Sequence, residues 1–404
     1  MKLEVYDDSG EVRVYDISFA NYKKTMQDEL VDIDGVSKEA DLLKLIDAYC
    51  SDKKLVAYDK TNKQIEEKLS SLELERLLEY EFSFIYFTSG TTGVAVGAFK
   101  TKENILKELE ELQKLFSRYR IEKVVVTVPF VHFYGSLLGA FYALEGDIDI
   151  VIKEHFLPND LLAMCNSGVM VITTPLYIKS LNRLGIEKNL EETLFISSTA
   201  PLFTETIREF QANFHADIMQ IFGSTESGGI AYKLNDQELW TPIEGVEVLQ
   251  KENGGLKVAS PFISKLLLEK SFKKTDGVLE TFDFIEMYES GFKLVGRSSQ
   301  IIKIAGKRYS TVEIEALLEK DSRIKKALVY VSTSKDALRG EELDITLESK
   351  NISKKDIKEL LKREFNNIRF TINLRLVDEI KTTSIGKKML IQSIYLCKLS
   401  NYLV

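Results

Sequence analysis

Residues 86–101 read YFTSGTTGVAVGAFKT, and half of these sixteen residues are Gly, Ser or Thr. They overlap an apolar run, FSFIYF at 82–87, so the pattern is a strand that ends in a small-residue loop. Glycines let main-chain N–H groups approach anionic oxygens, and hydroxyls add donors, so such a loop suits phosphate. The stretch holds no Lys or Arg before Lys100, which leaves N–H and hydroxyl groups as its main donors. A plain strand-to-helix turn can have the same composition. Neither the Walker pattern G-x-x-x-x-G-K-[ST] nor the dinucleotide pattern G-x-G-x-x-G occurs in it.

Working outward, the first 80 residues alternate short strands (LEVYD, EVRVYD, KLVAYD) with helical patterns such as EADLLKLIDAYC. After the loop, KENILKELEELQKLFSRYR reads as a helix charged on one face. Four apolar, β-branched runs follow: KVVVTVPF, IDIVIK, GVMVITT and TLFISS. Continuous runs of this kind are strands covered on both faces. Helical patterns between them predict an α/β fold, a largely parallel sheet flanked by helices. From about 240 the strands become shorter and two-sided (GVEVLQ, GLKVAS, KLLLEK, VLETFDFIEMYE, GFKLVG), as in a smaller β subdomain. SQIIKIAGKRYS, TVEIEALLEK, KKALVYVS and ISKKDIKELLKREF then form a small α+β unit. Polar residues at GRSSQ, 296–300, mark the joint. The expected division is a large domain, 1–297, and a small C-terminal one, 298–404.

The 404 residues are 44% hydrophobic and 29% charged, an ordinary soluble composition. A formal charge of -8 argues against a general nucleic-acid binder. No apolar stretch approaches the roughly 20 residues needed to span a membrane. The start, MKLEVYDDSGEV, lacks the apolar core of a signal peptide, so a cytoplasmic protein is expected. Cys50, Cys165 and Cys397 are too far apart in sequence to indicate a disulfide framework or a zinc site.

Further segments carry chemistry. IFGSTESGG (221–229) places Thr225 and Glu226 in a polar loop after an aromatic residue. A carboxylate there could hold Mg²⁺, which takes oxygen ligands and shares them with phosphate. TSGTTGVAVG, PFVHFYG (129–135), STAPL (198–202), FGSTE (222–226), TFD (281–283), GRSSQIIKIAGKR and TSIGK (383–387) stand in this order along the chain. Together they resemble the adenylate-forming superfamily of acyl- and aryl-CoA synthetases, peptide-synthetase adenylation domains and luciferases. The corresponding segments there are TSGTTGxPKG, P-x-x-H-x-x-G, GAPL, YGxTE, TGD, GRxDDxIKxxGxR and TxSGK. The resemblance is weak before residue 82, where family members commonly carry a longer region; part of the first subdomain is read as shortened.

The resemblance implies that a carboxylate attacks the α-phosphate of ATP, giving acyl-AMP and pyrophosphate. The acyl group then passes to a thiol, either CoA or an acyl carrier protein. Thr88, Ser89, Gly90, Thr91, Thr92 and Gly93 would cradle the phosphates. Thr225 would donate to the α-phosphate and Glu226 would bind Mg²⁺. Phe222 and Gly223 would lie against the adenine, with Thr199, Ala200 and Pro201 on its other side. Asp283, helped by Arg297, would accept from the ribose hydroxyls. Lys387 would reach the α-phosphate from a small domain hinged near Ser299. Lys303 and Gly306 would flank the thiol tunnel. His132, Phe133, Tyr134 and Gly135, with Phe130, would shape the acid pocket, and Gly228 and Gly229 would leave it room. No Asp appears in 124–142 to meet a substrate ammonium, which favours an aryl or alkyl acid.

The sequence also departs from the pattern. Val96 and Ala95 stand where the loop usually has Lys and Pro, Ser299 where Asp or Lys is usual, and TFD lacks the glycine of TGD. Lys100 and Lys102 are the nearest cations that could replace the missing one. Three readings stay open: an acid–thiol ligase, an adenylating enzyme that does not use CoA, and a non-catalytic nucleotide- or acyl-binding protein of the same fold.

Overall fold

The computed structural model describes residues 1–25, 29–88, 95–297, 300–304, 307–333, 341–365, 370–381 and 388. They fall into two compact units. One comprises Met1–Lys251, Leu256–Thr281 and Met287–Lys293; the other comprises Glu252–Gly255, Phe282–Glu286 and Leu294–Val404.

In the first unit the four apolar runs become neighbouring strands of a nine-stranded sheet. Its order is Thr241–Pro242, Gly228–Leu234, Asp217–Ser224, Thr193–Ser197, Val169–Thr173, Lys123–Val126, Asp149–Lys153, Lys2–Tyr6 and Val12–Asp16. The six strands from Asp217–Ser224 to Lys2–Tyr6 run parallel, and antiparallel strands flank them. Alternate residues enter two different cores. Val124, Val126, Ile150, Ile152, Met170 and Ile172 pack on one face, and Val125, Val151, Val171 and Phe195 on the other. A strand covered on both faces needs apolar residues at every position, so these runs do not alternate.

A second sheet has the order Phe272–Lys274, Leu266–Leu268, Val96–Lys100, Phe84–Thr88, Lys54–Ala57 and Leu30–Ile33. Phe84–Thr88 and Val96–Lys100 are antiparallel neighbours with Thr88 opposite Val96. The stretch 86–101 is therefore strand to strand, not strand to helix. Val96–Lys100, read from sequence as loop, is a strand in which every residue is buried. Helices Lys38–Ser51 and Lys102–Phe116 share one core with both sheets: Leu42, Leu45, Ile105 and Leu109 join Phe84, Tyr86, Val124 and Ile150. Thr101 caps the second helix by accepting from Asn104 N, and the Asn104 side chain accepts from Thr101 N in return. Lys68 donates to the carbonyls of Ala95, Leu268 and Glu269 at 2.6, 2.8 and 2.5 Å, tying its helix to two strands. A four-stranded sheet follows in the order Glu247–Gln250, Gly255–Ala259, Val278–Tyr288 and Gly291–Arg297.

The second unit contains the hairpin Ile301–Ile304 and Lys307–Ser310. Its three-stranded sheet, Lys326–Thr333, Glu341–Glu348 and Ile372–Val377, packs with helices Thr311–Leu318 and Lys354–Glu364 around Ile314, Leu318, Val329, Ile345 and Ile357. Among the described residues, no helix is long and apolar enough to cross a membrane.

Lys388 is an anchor of this unit. Its ammonium pairs with Glu315 at 2.9 Å and Glu319 at 2.6 Å, and donates to Ala327 O at 2.7 Å. Burial raises the Glu315 carboxyl above its ordinary range, and Lys388 opposes that rise. Replacing the lysine leaves the half-buried Glu315 carboxylate without its cation, held only by the Val329 N–H at 2.8 Å. Lys388→Ala is expected to destabilise the second unit by about 2 kcal/mol, read as a shifted urea midpoint.

Thr199 carries the clearest backbone strain. Among the described residues, the other non-glycine positive-φ positions are Asp52, Asp147, His215, Asn235 and Asp276, types that tolerate that region. Thr199, at φ +80°, is β-branched and does not. Thr199→Gly should stabilise the chain by about 1 kcal/mol, the strain released less the entropy glycine loses on folding. Thermal and denaturant unfolding check the sign.

Candidate active site

Six parallel strands put their carboxyl ends at one edge of the sheet, the edge where open α/β sheets bind ligands. Three of them feed the candidate residues. Thr193–Ser197 runs into Ser198–Pro201, and its parallel neighbour Asp217–Ser224 runs into Thr225 and Glu226. Ser198 Oγ donates to Ile221 O at 2.8 Å and ties these two connections together. Lys123–Val126 leads to Pro129–Gly135, which crosses over the neighbouring strand ends. There the Tyr134 hydroxyl lies 3.0 Å from Thr173 O and 2.8 Å from Ile196 O. The structure thus gathers Thr199, Ala200, Pro201, Phe222, Gly223, Thr225, Glu226, His132, Phe133, Tyr134 and Gly135 from distant parts of the chain.

A break in register between Phe222 and Gly223 ends regular pairing there, with Phe222 opposite Ala231 and Gly223 opposite Gly229. Such irregularities re-aim side chains beside active sites. Phe222 is partly exposed and packs against Trp240 and Phe292 at 5.5 and 6.2 Å between ring centroids. A β-carbon at Gly223 would lie 2.2 Å from Gly228 O, so only glycine fits. The turn that follows is held by its own hydroxyls: Ser227 N donates to Ser224 Oγ at 3.1 Å and Ser224 N to Ser227 Oγ at 3.0 Å. Ser264 N fixes the backbone by donating to Glu226 O at 2.9 Å.

Within this turn, the Thr225 hydroxyl and the Glu226 carboxylate have no hydrogen-bond or ion-pair partner among the described residues, and both residues are partly exposed. No group of three or more His, Cys, Asp or Glu among the described residues could cage a metal. Glu226 therefore fits a cation that takes one protein carboxylate and fills its remaining positions with water and phosphate oxygens, as Mg²⁺ does.

In Pro129–Gly135, the Phe133 ring is buried against Tyr86 at 5.2 Å. His132 is partly exposed as a residue, yet its Nε2 is buried without a hydrogen-bond partner. Burial holds the imidazole below its ordinary pKa, in the neutral form. Tyr134 does not lend its hydroxyl to a pocket, because two strand carbonyls take it.

The neighbourhood of Gly228 and Gly229 differs from the sequence reading. The room these glycines leave is filled by the chain itself. A β-carbon on Gly228 would lie 2.5 Å from Glu108 Oε2, and one on Gly229 2.9 Å from Ile243 Cδ1. Glu108 reaches in from helix Lys102–Phe116 and accepts from Gly229 N at 2.6 Å. Beside it, Lys100 is fully buried and donates to Phe262 O at 2.7 Å, with its ammonium 4.7 Å from the Phe133 ring centroid. Burial pushes the Lys100 pKa down and the Glu108 pKa up; the attraction between them opposes both shifts, and the Glu226 carboxylate also attracts the Lys100 ammonium. Sequence reasoning missed Glu108. The only trace was a Glu on the helix face that carries Ile105, Leu109 and Leu112. Lys102, the other cation considered for the loop, pairs with Asp52 at 2.7 Å and donates to Tyr49 O at 3.0 Å.

The second unit holds Asp283 and Arg297 together: Arg297 Nε donates to Asp283 Oδ1 at 3.0 Å. Lys303 lies opposite Arg308 in the hairpin. Ser89, Gly90, Thr91, Thr92, Gly93, Ser299, Gly306 and Lys387 lie outside the described residues. Thr88 ends its strand, partly exposed.

Known proteins share both this sequence and this architecture. The chain is 21% identical over 248 residues to 4-coumarate–CoA ligase of Cereibacter sphaeroides, covering 61% of this chain and 56% of that protein. It is 23% identical over 295 residues to peroxisomal OPC-8:0-CoA ligase 1 of Arabidopsis thaliana, covering 65% and 54%. The chain thus spans about half the length of the curated relatives it matches. The crystal structure of ATP-bound MatB from Rhodopseudomonas palustris superimposes with a TM-score of 0.76, at 15% identity over 95% of this chain and 93% of that one. Residues 18–252 match the family described as AMP-binding enzyme. That span holds the Gly-rich stretch at 86–101, the Pro129–Gly135 crossing and the Thr225–Glu226 turn, and the chain belongs to the AMP-binding enzyme family, within the adenylate-forming superfamily.

Proposed function

We propose that the protein activates a carboxylic acid with ATP to give an acyl-AMP and pyrophosphate, then transfers the acyl group to a thiol, CoA or an acyl carrier protein. The observation that carries this is Thr225 and Glu226, whose hydroxyl and carboxylate make no hydrogen bond or ion pair among the described residues, held at the carboxyl edge beside the partly exposed Phe222. A carboxylate is already a nucleophile. The protein's work is to orient it and to offset charge that develops on phosphorus and the leaving group.

Thr225 would donate to the α-phosphate. Glu226 would hold Mg²⁺, which neutralises phosphate charge when bound. Phe222 and Gly223 would lie on one side of the adenine and Thr199, Ala200 and Pro201 on the other, with Asp283 and Arg297 for the ribose. Thr88 and residues 89–93 would hold phosphate through N–H and hydroxyl groups. Lys387, on a small C-terminal domain that begins near Ser299, would serve the first half-reaction only. Lys303 and Gly306 would flank the path of the thiol. The acid would lie against His132 and Phe133. The reaction is assigned to the cytoplasm.

ATP–pyrophosphate exchange across a panel of carboxylic acids tests the first step, and CoA and holo-carrier protein as acceptors test the second. Exchange with no acid would remove the proposal. Glu226→Gln, which keeps an oxygen but loses the charge, should raise the Mg²⁺ needed for half-maximal exchange by about tenfold. An unchanged magnesium titration would take Glu226 out of the site. Lys387→Ala should slow adenylate formation by about two orders of magnitude, on the scale of about 3 kcal/mol for a lost transition-state contact. Thioester formation from supplied acyl-AMP should survive, and equal loss of both steps would contradict the assignment.

A further inference from the structure

Three buried polar side chains, Lys100, Asn104 and Glu108, converge on the backbone around the Thr225–Glu226 turn. Lys100 ends the strand Val96–Lys100, and Asn104 and Glu108 share one face of helix Lys102–Phe116. Glu108 Oε1 accepts from Gly229 N at 2.6 Å. Lys100 Nζ donates to Phe262 O and Asn104 Nδ2 to Pro261 O, both at 2.7 Å. Further along that same segment, Ser264 N donates to Glu226 O at 2.9 Å. Gly228 closes the frame: a β-carbon there would lie 2.8 Å from Phe262 Cβ and 2.5 Å from Glu108 Oε2. The turn is thus pinned at Glu226 O through residues 261–264, and at Gly229 N directly from the helix.

Stability alone does not call for charges here, because well-packed apolar side chains of similar volume often stabilise a core as well as a buried ion pair does. Charged groups supply direction: each hydrogen bond fixes one backbone atom, where apolar contacts would let the turn slide. We propose that Lys100 and Glu108 are positioning residues for the metal-binding turn: through Phe262 and Gly229 they set where the Glu226 carboxylate stands relative to the strand that leaves the Gly-rich stretch. This rests on the Mg²⁺ reading of Glu226 above. Neither residue meets a ligand in this role, which agrees with their burial. The strand that Lys100 ends also pairs with Phe84–Thr88, Thr88 opposite Val96, so both ends of the Gly-rich stretch share one support with the Glu226 turn. Attraction between the Lys100 ammonium and the Glu226 carboxylate draws that side chain toward the same support.

The test measures how much Mg²⁺ is needed for ATP to protect the full chain against thermal unfolding, a readout that requires no acid. Glu226→Gln is the reference for direct loss of the metal ligand. Lys100→Met with Glu108→Leu keeps the volume and removes both backbone bonds; its half-maximal Mg²⁺ should rise by about threefold or more. Lys100→Met with Glu108→Gln restores an acceptor for Gly229 N and should recover part of that loss, although a buried amide is the poorer core residue. In ATP–pyrophosphate exchange with any acid that supports it, the KM for the acid should not move. If neither paired variant folds, Glu108→Asp, which keeps the charge but draws the carboxylate back by one methylene, should shift the Mg²⁺ requirement in the same direction. An unmoved requirement in variants that fold, beside a shift in Glu226→Gln, overturns the positioning role and leaves the Mg²⁺ reading standing. So does a loss that the glutamine leaves untouched, or an equal rise in the KM for the acid. If Glu226→Gln shifts nothing either, the metal role of Glu226 falls and this inference with it.

Discussion

A single phenol holds the candidate site in register. The Tyr134 hydroxyl sits between Thr173 O and Ile196 O, carbonyls at the carboxyl ends of two neighbouring parallel strands. Burial keeps the phenol protonated and available as a donor. Through this contact the segment carrying His132 and Phe133 is fixed across the sheet edge, not left as a free connection. Thr225 and Glu226 emerge one strand further along. Their turn is braced from below by Glu108 and from the side by Ser264, so their free polar groups project from a rigid support.

Three lysines in or beside the strands Phe84–Thr88 and Val96–Lys100 are committed to fixed partners. Lys68 is bonded to three carbonyls, Lys100 to Phe262 O, and Lys102 to Asp52 and Tyr49. Val96, where family members usually place a lysine, is a buried strand residue opposite Thr88. A lysine there would have to bury its stem in a packed strand, so this chain's departure from the family pattern agrees with its local packing.

Much of this was legible from residue types. Runs such as VMVIT and TLFIS could only be strands covered twice, and the structure shows them buried at every position. The order of the polar segments sets Phe222, Thr225 and Glu226 in one stretch, which the structure shows as the end of strand Asp217–Ser224 and the turn after it. Other features had no local signature. Glu108 lies among LysGlu-rich neighbours on a helix with a charged face, and only the close approach of Gly229 shows that it is buried. Lys100 ends a strand whose apolar part resembles a loop because Gly97 interrupts it; that glycine lets the Phe87 ring approach. Strand Glu341–Glu348 escaped because charge outweighs its apolar residues, although Leu343, Ile345 and Leu347 alternate inward.

The first strand has a consequence for how the chain is made. Lys2–Tyr6 pairs in parallel with Asp149–Lys153, Leu3 opposite Ile150, so the opening of the chain meets its neighbour only after nearly 150 residues have followed. At typical synthesis rates that wait is about 10–30 s. Until then Leu3 and Val5 have no sheet to join, apart from their own hairpin with Val12–Asp16. Contacts this distant along the chain slow folding and leave unpaired strand edges exposed. The nascent chain is thus the state in which this strand edge stays unpaired longest, and slowing translation just after residue 153 would give the pairing more time to form.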